Sequence, residues 1–70
     1  MSKKQENIEK FLIYCTEIYK NKKGITGKQV IEKFQTNKVY QYLEKSYEVL
    51  HTQGNSYILS EIEEYIKNKK

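Results

Sequence analysis

Residues 42–54, YLEKSYEVLHTQG, read as one amphipathic helix that carries the only histidine of the chain and stops at a glycine. Extended back to residue 39, the pattern places Val39, Tyr42, Leu43, Ser46, Tyr47, Val49 and Leu50 on one broad face. Gly54 follows where the left-handed residue beyond a helix end belongs. This spacing predicts a third helix over about residues 39–53, acting as the central strut of the fold.

The neighbouring segments repeat the helical period. Ile8, Phe11, Leu12, Cys15, Ile18 and Tyr19 make one stripe at 3.6 residues per turn, which predicts a first helix over about residues 4–22. Lys20, Lys22 and Lys23 then oppose the negative end of the helix dipole, and Gly24 supplies a left-handed stop. Thr26 and Gln29 have capping-box spacing and open a short second helix, with Val30, Ile31 and Phe34 as its apolar face and Thr36-Asn37 as its end. Ser60 and Glu63 form another such box, so the last helix is expected over residues 60–68, with residues 57–59 either extended or in its first turn. Four short helices on brief connections imply an all-α, compact bundle.

Seventy residues without proline, repeats or low-complexity segments fit a single domain with charged, flexible ends at about residues 1–5 and 67–70. At that size only about 60% of the unfolded chain's surface can be buried, so a homodimer or a partner that completes the core is plausible. Cys15 is the only cysteine and His51 the only histidine, which excludes a disulfide framework and a four-ligand zinc site. No metal or cofactor is expected. The longest apolar run, FLIYC at residues 11–15, is five residues, against about 20 needed to span a bilayer, and no signal-peptide core is expected; the expectation is a soluble, cytoplasmic protein without membrane contact.

Charge is distributed unevenly. Residues 1–38 hold nine Lys against four Glu, residues 39–66 hold Lys45 against five Glu, and Lys67, Lys69 and Lys70 close the chain. Every base is Lys, so the forked donor that reads phosphate and guanine most specifically is absent. The second and third helices could be drawn as a helix-turn-helix, but Glu44 and Glu48 would point at phosphates. Nucleic-acid contact is therefore expected to be weak and non-specific, through Lys3, Lys4, Lys20, Lys22, Lys23 and Lys28.

One constellation on the third helix invites a mechanism: Tyr40, Glu44, Tyr47 and His51, spaced 4, 3 and 4 apart along one flank. An imidazole beside a carboxylate and phenols could accept a proton or anchor a partner. It could equally serve the helix end through its dipole and last carbonyls. No aspartate occurs, and no nucleophile or oxyanion donor accompanies the histidine, so no catalytic residue is assigned and an enzyme is not expected. Cys15 sits mid-stripe, where a thiol behaves as a small hydrophobe. Ile13 lies roughly 160° from that stripe, and with Tyr14 it could form a secondary contact. Seven tyrosines exceed what a small core needs and suit an interface, although an AT-rich coding bias would also raise their number.

Phe11 and Cys15, TGKQVIEKF at residues 26–34, YLEKSYEVLHTQG at 42–54 and YILSEIEEYI at 57–66 together resemble a family of small bacterial and phage-borne proteins known as a domain of unknown function. The Leu50-His51-Thr52-Gln53-Gly54 element is its most specific part. The resemblance implies a free-standing protein encoded beside an ADP-ribosyltransferase-like protein, as in a toxin–antitoxin or accessory pair; it carries no catalytic residues.

The expectation is a non-catalytic module that binds a protein partner through Tyr40, Glu44, Tyr47, His51, Thr52 and Gln53. One alternative is a phage or mobile-element inhibitor of a host defence nuclease, mimicking phosphates with Glu44, Glu48, Glu61, Glu63 and Glu64. The other is a helix-turn-helix-like regulator.

Overall fold

The apolar stripe of the first helix needs a partner surface, and three other segments wrap around it to supply one. The computed structural model describes residues 3–68. Five helices follow one another: α1 (Lys3–Lys23), α2 (Gly27–Thr36), α3 (Val39–Lys45), α4 (Tyr47–Leu50) and α5 (Asn55–Asn68). No strand occurs among the described residues, and the fold is the expected all-α bundle. Its radius of gyration, 11.5 Å, is close to the roughly 11 Å expected for a chain of this length. Of the ends expected to be flexible, residues 1–2 and 69–70 lie outside the described residues; residues 3–5 begin α1, and Lys67 and Asn68 end α5.

Among the described residues, ten side chains form the core: Phe11, Cys15 and Tyr19 from α1, Val30 and Phe34 from α2, Val39 and Leu43 from α3, Leu50 from α4, and Ile58 and Ile62 from α5. Phe34 is the hub, meeting Tyr19 edge-on at 5.1 Å and Tyr40 edge-on at 5.3 Å. The Tyr19 hydroxyl is buried without a hydrogen-bond partner among the described residues. The Lys23 ammonium lies 5.8 Å from the Tyr19 ring centre and pairs with Glu63 at 2.5 Å, tying the end of α1 to α5.

Several local signals act as the residue pattern predicts. Gly24 has φ 66°, and its N–H donates to Lys20 O at 2.9 Å, ending α1. Thr26 Oγ1 accepts from Gln29 N at 3.1 Å while Gln29 Oε1 accepts from Thr26 N at 2.9 Å, so the capping box at α2 is complete.

Three expectations are corrected. The third helix is not continuous over residues 39–53: it breaks at Ser46, whose backbone lies at φ −97°, ψ 9°, and restarts as α4. Val49 N–H bonds back only three residues, to Ser46 O at 3.1 Å. Serine competes poorly as an interior helix residue, and the kink seats Tyr47 edge-on against Phe11 at 5.4 Å while burying Leu50. It also leaves Val49 62% exposed rather than on the core face. Gly54 is not a left-handed stop, since Gly24 is the glycine with positive φ among those described. Gly54 O instead accepts from Ile58 N at 3.1 Å and opens the last helix. That helix consequently begins at Asn55, not at residue 60, and residues 57–59 are helical. A capping box serves N–H groups left free at a helix start. Ser60 and Glu63 lie inside a running helix, where those donors are already bonded.

The turn between α2 and α3 is set by Lys38, the one described non-glycine residue with positive φ (56°). A side chain in that region costs about 1–2 kcal/mol. Lys38 is exposed and makes no side-chain cap. Lys38→Gly is therefore expected to stabilise the fold by about 0.5–1 kcal/mol and raise the thermal midpoint by about 4 °C. A lowered midpoint in a calorimetric scan would show that the lysine stem contributes more by packing than its backbone costs.

Candidate functional site

Beside its core stripe, α1 carries a second row, Glu9, Leu12, Ile13, Thr16 and Glu17, at three- and four-residue spacing. Ile31 from α2 and Tyr40 from α3 face this row across a groove of about 520 Å³. The groove is apolar at its centre and carries a carboxylate at each end of the α1 wall. Ile13 is 65% exposed and Ile31 42% exposed, so two large aliphatic side chains meet water where they could meet a partner.

The floor is held firmly. Thr16 Oγ1 donates to Leu12 O at 2.9 Å, so its lone pairs are left to accept from the Tyr40 hydroxyl, also at 2.9 Å. The Tyr40 ring rests edge-on against buried Phe34. A groove preformed in this way loses little side-chain entropy when it is filled.

The expected flank of Tyr40, Glu44, Tyr47 and His51 is divided by the break at Ser46. Tyr40 and Glu44 line a smaller polar depression of about 320 Å³ with Gln35 and Gln41, adjoining the groove through Tyr40. Tyr47 and His51 form a separate stacked pair, ring centres 4.3 Å apart and 11° from parallel. His51 is exposed, and its backbone N–H donates to Tyr47 O at 2.9 Å as the cap of α4. Thr52 and Gln53 close the following turn: Thr52 Oγ1 donates to Val49 O at 3.4 Å and Gln53 N to Leu50 O at 2.9 Å.

Ile13 and Tyr14 point apart. Ile13 lies in the groove, whereas the half-exposed Tyr14 donates its hydroxyl to Asn55 Oδ1 at the start of α5. Ile31, expected on the core face of α2, is one of the groove residues that sequence reasoning missed, with Glu9, Leu12, Thr16 and Glu17. Its signal was its surplus: Val30 and Phe34, four residues apart, already make the buried line of a ten-residue helix.

Among the five glutamates that could mimic phosphates, four are engaged within the fold. Glu48 pairs with Lys4 at 3.2 Å and Glu63 with Lys23. Glu61 accepts from the Tyr42 hydroxyl at 3.3 Å, and Glu64 accepts from Asn68 at 3.4 Å. Burial first, and then the Glu61 charge, raise the Tyr42 phenol above its ordinary pKa. Cys15 is fully buried and its thiol is pushed up to about 12 by desolvation. Among the described residues, no three His, Cys, Asp or Glu side chains are grouped to hold a metal ion, and no helix is long and apolar enough to cross a membrane.

Residues 10–69 match the model of a family described as a protein of unknown function, DUF3791. No curated protein and no solved structure matches the chain.

Proposed function

The chain belongs to the DUF3791 family, and we propose that it is a non-catalytic protein-binding module that docks a partner in the groove between α1, α2 and α3. The observation that carries this reading is the exposure of Ile13 and Ile31 together on the walls of one preformed apolar groove. Filling it would remove both side chains from water, and full burial of an aliphatic side chain is worth about 1.5–3 kcal/mol. Such centrally placed, fully desolvated contacts dominate binding energy at protein interfaces. Tyr40 and Glu44 extend the same surface, and the stacked Tyr47–His51 pair is a further contact point in this reading.

The partner to test first is the ADP-ribosyltransferase-like protein that the family resemblance implies is encoded alongside. Co-expressed with the product of the neighbouring gene, the wild-type chain is expected to co-purify with it. Ile13→Glu should weaken that complex by about 30-fold or more, the effect of losing a hot spot worth about 2 kcal/mol. Far-UV circular dichroism should stay unchanged and the thermal midpoint should fall by only a few degrees, because Ile13 is mostly exposed in the free protein and the new carboxylate only adds like-charge pairs with Glu9 and Glu17, worth about 0.2–0.5 kcal/mol each. Undiminished affinity in the Ile13→Glu, Ile31→Glu double variant would remove the groove as the docking site.

A further inference from the structure

Resting on the docking reading, we infer that the occupant of the groove is a basic amphipathic helix: an aliphatic anchor with lysine or arginine four residues before it and four residues after it. The groove itself specifies this chemistry. Glu9 and Glu17 stand four residues on either side of Ile13 and are the two charged residues of the lining. A chain with a net charge of +4 thus presents, among its described residues, only carboxylates as the charged groups lining its apolar groove. Glu9 has no ion pair among the described residues, and Glu17 has one at the long distance of 4.0 Å, to Lys20. Neither carboxylate ties α1 to another helix.

Eight residues of α1 rise about 12 Å, so the two carboxylates bracket the anchor site by about one helical turn each way. A helix lying along α1 repeats that interval with the same rise per residue. Cations at positions −4 and +4 about its anchor therefore meet Glu9 and Glu17 in either chain direction. The arrangement is the flanking-charge device by which packed helices choose partners around an apolar seam.

The same charges disfavour a second copy as occupant. If two chains pair through Ile13 with their α1 helices antiparallel, each Glu9 faces the other copy's Glu17. If the helices run parallel, like faces like. Both geometries bring carboxylates together at the rim of a desolvated contact, where such juxtaposition is costly.

The test uses two short helical peptides that differ only at the flanking positions, one with lysines and one with glutamates about a central leucine. Each is titrated into the full-length protein by fluorescence anisotropy at low and moderate salt. The lysine peptide is expected to saturate, to bind at least about tenfold tighter than the glutamate peptide, and to lose that advantage with rising salt. The Glu9→Lys, Glu17→Lys variant should reverse the preference, and Ile13→Glu should abolish binding of both. Equal binding of the two peptides, no binding of the lysine peptide, or lysine-peptide binding that survives Ile13→Glu overturns the inference. So would a dimer in sedimentation equilibrium that Ile13→Glu dissociates, since the groove would then belong to a second copy. Failure of the peptides while Ile13→Glu still disrupts the co-purified complex rejects the basic helix and keeps the docking module. Indifference to Ile13→Glu in both experiments rejects both.

Discussion

Phe34→Ala is expected to leave the protein at the margin of stability at room temperature. The ring is fully buried and makes edge-on contacts with Tyr19 and Tyr40, joining α1, α2 and α3 at one point. Removing a buried phenylalanine costs about 3–5 kcal/mol through lost transfer energy and the cavity left behind. The two aromatic contacts, worth about 0.5–1.5 kcal/mol each, place Phe34 towards the upper end of that range. At about 0.05–0.15 kcal/mol per residue, a domain of this size has a total stability of roughly 4–10 kcal/mol. One substitution therefore removes about half of it or more. Urea titration followed by circular dichroism should show a broad or absent transition for Phe34→Ala and an intermediate midpoint for Phe34→Leu, which keeps most of the volume. A loss below about 1 kcal/mol for the alanine variant would mean that the ring is not the packing hub. The same change would loosen Tyr40, so the core and the groove share this residue.

Alkaline pH should destabilise the fold through Cys15. Burial raises the thiol from its ordinary value of 9.0 to about 12, so the folded state holds a proton that the unfolded chain releases more readily. This contribution is fully present below pH 9 and is lost as pH rises from 9 towards 12. Three pH units at 1.36 kcal/mol each set an upper limit of about 4 kcal/mol. Lys23 acts in the same direction: its hydrogen bond and ion pair with Glu63 raise its pKa above 10.5, so that pair stabilises the fold below 10.5 and ceases to do so as pH climbs through the raised value. Comparing wild type with Cys15→Ala separates the two effects. The wild type should lose stability more steeply between pH 9 and 11 in chemical denaturation, and parallel curves would show that the thiol ionises without unfolding cost. Alkylation of Cys15 at pH 8 should be slow in the native protein and fast in denaturant.

The parts of the fold that were legible in the residues are those decided within a few positions of chain. The α1 stripe requires only its own period, and Phe11, Cys15 and Tyr19 are buried along it. The Thr26–Gln29 box and the Gly24 stop are likewise closed by neighbouring atoms. The misread segment, residues 46–60, contains two signals with the right local chemistry in the wrong place. Gly54 could have ended a helix and Ser60 could have begun one. The structure instead needs Leu50 and Ile58 in the same core, and the helix ends shift to put them there. For the candidate site, Ile13 and Tyr40 were recognisable from the sequence, but their meeting across a groove with Ile31 was not. His51 was recognisable as singular, and its ring proves to stack on Tyr47 at an exposed helix end.

By itself the amino-acid sequence determined the helical class, the buried stripe of α1, the caps around α2 and a side-chain inventory poor in reactive groups. These follow from periodicity and hydrogen bonds over three or four residues, which act before any distant segment arrives. Only the tertiary structure decided where the third helix breaks, that Ile31 as well as Ile13 remains in water, and that the two meet across an apolar groove. Those outcomes depend on which surfaces three helices cover when they close on a common core, and a core this small cannot cover every apolar side chain presented to it.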